Sequence, residues 1–188
     1  MGEEASAASP ESSTWPESTL DEVLFKQDRL YRHQILRINY TTYDIRRKQD
    51  TINPSTPRRD VMVLANREAD SDHPYAYARV IGIFHVNVIY AGARRADYSS
   101  HRMEFIWVRW YELDTLEPLG GWGSKRLDRL RFPPMDKKDV FGFLDPNDIL
   151  RATHIIPSFK AGKRSPDGSR LSVSAKDEED WRGYFQNR

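Results

Sequence analysis

Tyr75–Glu112 reads YAYARVIGIFHVNVIYAGARRADYSSHRMEFIWVRWYE, and its patterning decides the fold. From Ala76 to Tyr90 the residues are mostly β-branched, aromatic or small, with no proline and one glycine. At period two, Ala78, Val80, Phe84, Val86, Val88 and Tyr90 fall on one side. Ile81, Ile83 and Ile89 fall on the other, among Arg79, His85 and Asn87. From Arg102 to Glu112 the alternation returns, with Met103, Phe105, Trp107 and Tyr111 set against Ile106, Val108 and Trp110. This predicts two long strands, apolar on both faces over part of their length. Such strands suit a small barrel better than an open sheet. Gly82, in mid-strand, predicts a bulge or sharp bend.

Outward from that hairpin, 188 residues suit one domain with appended segments. The chain has no cysteine, which excludes disulfides, thiolate catalysis and cysteine-ligated zinc. No apolar run is long enough to cross a bilayer. The start, MGEEASAASPESSTWPES, lacks the basic and apolar regions of a secretion signal. The formal charge of +1 hides a division. The first 22 residues carry six acids and no Lys or Arg, and Asp177–Asp180 is a second acidic block. Residues 23–176 between them hold 27 basic and 18 acidic side chains, a balance compatible with nucleic acid or chromatin.

Residues 1–18 are rich in Ser, Ala, Glu and Pro and are expected to form a disordered acidic tail. Thr19-Leu20-Asp21-Glu22 fits a capping box, which predicts a short helix over residues 19–30. Strands are expected within His33–Asp44 (HQILRINYTTYD), Asp60–Ala65 (DVMVLA) and Thr153–Phe159 (THIIPSF). Asp145 with Pro146 predicts one capped helical turn. Residues 31–160 are therefore assigned to a β-barrel-like domain, and residues 161–176 to a flexible basic segment. A C-terminal helix over residues 177–188, acidic at its start, would carry Trp181, Tyr184 and Phe185 on its apolar face. Because the chain stops there, it reads as a piece of something longer.

Three stretches taken in order, YARVIGIF, EFIWVRWYE and DPNDILRATHIIPSF, resemble the bromo-adjacent homology (BAH) domain. The likeness spans about residues 60–160. A wider pattern, NYTTYDIRRKQDTINP with HVNVIY and FIWVRWYE, is closer in residues to an uncharacterised fungal family. That family is associated with proteins of Kyakuja–Dileera–Zisupton transposons, and the likeness carries almost no biochemistry. The first resemblance implies a small distorted β-barrel with short flanking helices. It also implies a non-catalytic module of chromatin, nuclear or otherwise cytoplasmic, that binds a histone tail or another protein. Members that read methylated lysine use an aromatic cage, since ring faces attract a methylammonium stripped of its water. The matching positions are Trp110 and Glu112 at the end of the second long strand, with Tyr75 or Tyr77 before the first. Glu112 departs from the family's aromatic residue there. Packing in the core or at its rim is the commoner fate of such rings.

The alternative is a nucleic-acid-binding domain. Its candidate contacts are Arg46, Arg47, Lys48, Arg58, Arg59, Arg94, Arg95, Lys125 and Arg126, in loops near Tyr43, Tyr98 and Trp122. No catalytic residue, cofactor or metal is expected. The five histidines lack metal-ligand spacing, Ser99-Ser100-His101 lacks a nucleophile elbow, and GGWGSK lacks the spacer of a phosphate loop.

Overall fold

In the computed structural model the described residues are 22–42, 44, 46–65, 73–92, 96–114 and 127–187. They form twelve strands, joined by short 3-10 turns and by no α-helix. In chain order these are β1 (Val23–His33), β2 (Leu36–Thr41), β3 (Arg47–Ile52), β4 (Asp60–Leu64), β5 (Tyr75–Ala91) and β6 (Ala96–Trp110). There follow β7 (Glu112–Leu113), β8 (Arg129–Arg131), β9 (Phe141–Leu144), β10 (Ile149–Ala152), β11 (His154–Pro157) and β12 (Tyr184–Asn187).

The main sheet runs β10-β4-β5-β6-β9, with β1 also on β5. A second sheet runs β11-β12-β8-β7, and β2-β3 is a separate hairpin. The mainly β expectation stands. Among the described residues the hydrogen bonding does not close into a barrel, because β10 and β9 end the main sheet without pairing to each other.

The chain forms two compact units. The larger is Leu30–His85 with Glu104–Arg188. Its main core lies on one face of the sheet, where Val61, Val63, Ala78, Val80, Ile83, Ile106, Val108 and Ile149 meet Ile52 of the β2-β3 hairpin. Leu36 and Ile38 pack there at period two, which leaves Arg37, Asn39 and Thr41 exposed. A second core, on Tyr77, Tyr111, Leu130, Phe132, Ile155 and Tyr184, joins the two sheets. The smaller unit is Met1–Arg29 with Val86–Met103, described here over residues 22–29, 86–92 and 96–103. In it Val86 and Val88 are buried, Tyr90 donates to Glu22 at 2.6 Å, and Leu24 and Phe25 are each 54% exposed.

Gly82 changes the phase of β5. Ala78 and Val80 share the main core with Ile83, not with Phe84, so the expected one-sided row breaks at the glycine. The ring of Phe84 folds back over Gly82, where a Cβ would stand 2.4 Å from a ring carbon. A one-residue slip sends every later side chain to the other face.

Both expected helices are strands. Residues 23–30 belong to β1, since pairing with β5 satisfies backbone that a marginal helix would leave to water; residues 19–21 lie outside the described set. In place of the helix over 177–188, Asp177–Glu179 makes one 3-10 turn and Tyr184–Asn187 forms β12, between β11 and β8. Tyr184 and Gln186 are buried, and the period is two. The Asp177 carboxylate accepts from the backbone of Leu171 and Ser172, each at 2.8 Å, so it caps the preceding loop. Residues 161–176 join the same structure through the Lys163–Trp181 bridge and the buried Ala175. Strands thus lie on both sides of the 31–160 span, from β1 beginning at Val23 to β12 ending at Asn187. The acidic tail assigned to 1–18 lies outside the described residues.

Candidate interaction surface

The cage candidates do not converge. Trp110 follows Ile106 and Val108 onto the main core, and its indole covers Gly142, whose added Cβ would lie 2.7 Å from Nε1. Tyr77 faces the opposite side of the sheet, 3% exposed, with its hydroxyl donating to Asp128 at 3.2 Å. Tyr75 packs against that second core as well. The reason is strand parity: the N–H of Tyr111, not of Trp110, donates to the carbonyl of Tyr77 at 2.9 Å. Glu112 pairs with Lys137 and, at 3.7 Å, with Arg131. Rings on opposite faces of one sheet cannot wall one cation.

On the face with Tyr77, the long strands carry arginines into the protein. Arg79 donates from Nε to Asp60 at 3.1 Å, from Nη2 to the Tyr111 hydroxyl at 2.7 Å and from Nη1 to Asp180 at 3.4 Å. Arg109, 1% exposed, donates from Nη1 to the other Asp180 oxygen at 2.6 Å. Phe132 lies under both guanidiniums, 4.8 Å from Arg79 and 4.0 Å from Arg109. Burial works to lower the Arg79 pKa, but Tyr111, Asp60, Tyr184 and Asp180 around it reverse the effect and hold it raised. Burial also raises the Asp180 carboxyl, against the opposing pull of Arg109. Tyr184 is pushed up to about 12, chiefly by burial. These groups hold the two sheets together.

Further along the same face the rings reach solvent. Phe84 on β5 stacks on Phe105 of β6 at 5.6 Å, and Phe105 meets Phe143 of β9 edge-on at 5.6 Å. Trp107 lies 6.0 Å from Phe141 in the same layer. Phe143 is 70% exposed, and the others are half-buried. Among the described residues no strand pairs with the outer edge of β9. The alternation Phe141-Gly142-Phe143 was the available signal for this row: it puts two rings on one face, with a glycine under Trp110 on the other.

The basic candidates also divide. Arg46 pairs with Asp44 at 3.1 Å, and Arg59 with Glu179 at 2.9 Å, the latter lowering the Glu179 pKa through that hydrogen bond. Arg58 is exposed beyond the far end of β3, about 16 Å of strand away from Arg47 and Lys48. Arg47 and Lys48 oppose Thr41 and Tyr40, and line a groove of about 470 Å³ with Asn39 and Gln49. Arg151 stacks on Tyr40 at 4.2 Å. Arg94, Arg95, Lys125 and Arg126 lie outside the described residues, as do Tyr43 and Trp122.

Among the described residues, no helix is long and apolar enough to cross a membrane, and no group of three or more His, Asp or Glu could hold a metal ion. No protein-family model matches this chain, and no curated protein or solved structure matches it.

Proposed function

We propose that this chain is a non-catalytic interaction module that docks an extended segment of a protein partner along β9, over the Phe84–Phe105–Phe143 row. The observation that carries this reading is an open strand edge next to a contiguous row of rings, Phe143 exposed and Phe84 and Phe105 half-buried. Single exposed apolar residues are ordinary on protein surfaces, whereas a joined row on a sheet edge is not. A strand added to β9 would gain main-chain hydrogen bonds, and its alternate side chains would meet the rings. The likeness of the strand motifs to the BAH domain supports the same class of role, with a nuclear location and a histone tail as one such segment. Kinship with that family's distorted barrel is part of what we propose. The grip would come from rings and backbone, since Trp110 and Tyr77 face opposite ways.

The test is a nuclear magnetic resonance titration with synthetic histone-tail peptides. Saturable shifts at Phe141–Leu144, lost in Phe143→Ser, support the reading. Saturable binding that leaves β9 unmoved contradicts it.

One feature favours a second reading, nucleic-acid binding: Arg47, Lys48 and the Arg151-stacked Tyr40 share one hairpin. Single-stranded DNA held there would lose affinity steeply with salt, and Arg47→Gln with Lys48→Gln would flatten the slope.

A further inference from the structure

Behind the buried ionic network lies a cleft of about 190 Å³, within the larger unit. Arg109, Arg164, Asp177 and Asp180 line it, with Ser165 and Ser169. Its carboxylates are already engaged. Asp177 takes two backbone N–H groups, one on each oxygen. Asp180 takes Arg79 and Tyr184 on one oxygen and Arg109 on the other.

The donors are not all committed. Arg109 is 1% exposed, and its Nε is buried without a hydrogen-bond partner. A buried charged donor left unpaired is costly, and such a donor on a residue that also lines a cleft points to an acceptor brought from outside. Arg164 spends Nη1 on the carbonyls of Phe132 and Pro133, which leaves its other N–H groups for the cleft. It is exposed, at the mouth.

We infer that this cleft binds a carboxylate, held by Arg109 Nε and Arg164. Two arginines and two aspartates make the lining neutral, so one added negative charge is tolerated where the double charge of phosphate would meet Asp177 and Asp180. The planar fork of an arginine matches a carboxylate, and each such bond is stronger than a neutral one. This site is separate from the β9 surface and does not depend on it.

The experiment follows the side-chain Nε–Hε resonance of Arg109 in the full chain during titration with sodium acetate, with sodium chloride and sodium phosphate as parallel arms. A saturable shift with acetate below about 100 mM is expected, with no saturation by chloride and weaker binding of phosphate. Arg164→Gln should weaken acetate about fivefold or more while the Arg109 signal persists. Should Arg164→Gln fail to fold, Ser165→Leu, which fills the cleft, must abolish the acetate shift. An unmoved Arg109 resonance, phosphate binding more tightly than acetate, or full acetate affinity in a folded Arg164→Gln or Ser165→Leu variant overturns the assignment.

Discussion

Asp60 and Arg79 are direct register partners on β4 and β5, and the Arg79 guanidinium donates to the Asp60 carboxylate across that pair at 3.1 Å. Both are buried, so the pair is held by geometry and not by chance contact at a surface. Removing either partner is not symmetrical. Arg79→Leu strips Asp60 of its counter-charge and should destabilise by about 3–5 kcal/mol. Asp60→Asn leaves Arg79 with Asp180 and Tyr111 and should cost less, about 1–3 kcal/mol. The double replacement Asp60→Leu with Arg79→Leu should recover part of the larger loss. Urea unfolding of the four proteins checks the order.

Tyr184 links the second core to the same network, and its pKa of about 12 sets the sign of an alkaline effect. The unfolded chain loses that proton near pH ~10, whereas the folded chain keeps it. Stability should therefore fall as pH rises from about 10 to 12, by up to about 1.4 kcal/mol per pH unit for this group. Tyr184→Phe should flatten that decline while costing about 1–2 kcal/mol at neutral pH through the lost hydroxyl. Unfolding curves across this range decide it.

At acid pH the informative group is Asp177. Burial acts to raise its pKa, but the N–H groups of Leu171 and Ser172 prevail and hold it below the usual carboxylate value. Its contribution is thus present above the unfolded value of about 3.9 and is lost as pH falls through the lower folded value. Asp177→Asn should be less stable than the parent at pH 7 by about 1–2 kcal/mol. The gap should close with acidification below about pH 4.

Much of this was legible in the sequence. The two long strands and the break at Gly82 follow from period-two patterning and one glycine. Where local preference competed with pairing, the sequence misled. Leu20, Val23 and Leu24 have nearly helical spacing, yet β5 offers Val23–His33 a ladder. Asp177–Asp180 looks like a helix start, yet its first carboxylate serves the preceding loop. The cage failed for a similar reason. Trp110 ends a strand as expected, whereas Tyr77, expected just before one, lies within β5; which of Trp110 and Tyr111 sits beside Tyr77 is a matter of register, and only the folded pairing fixes register. The Asp60–Arg79–Asp180 network was invisible, because its members lie up to 120 positions apart by sequence number and no local pattern joins them.

Gly82 and Phe84 offer a direct probe of the aromatic row. An added Cβ at Gly82 would displace the Phe84 ring, so Gly82→Ala should cost about 1–3 kcal/mol. In a Phe84→Ala background the same change should cost distinctly less, and a double-mutant cycle would read the difference.

The central claim is that β9 and its rings receive an extended protein segment. A phage-displayed library of random short peptides, selected on the folded chain alone and then scored for binding to Phe143→Ser, tests it most directly. Amide exchange of the chain bound to the recovered peptides should show new protection at Gly142–Leu144, and the peptides should carry apolar residues at alternate positions. Peptides that bind Phe143→Ser equally well, or that protect the β2-β3 hairpin and leave β9 unchanged, would contradict it.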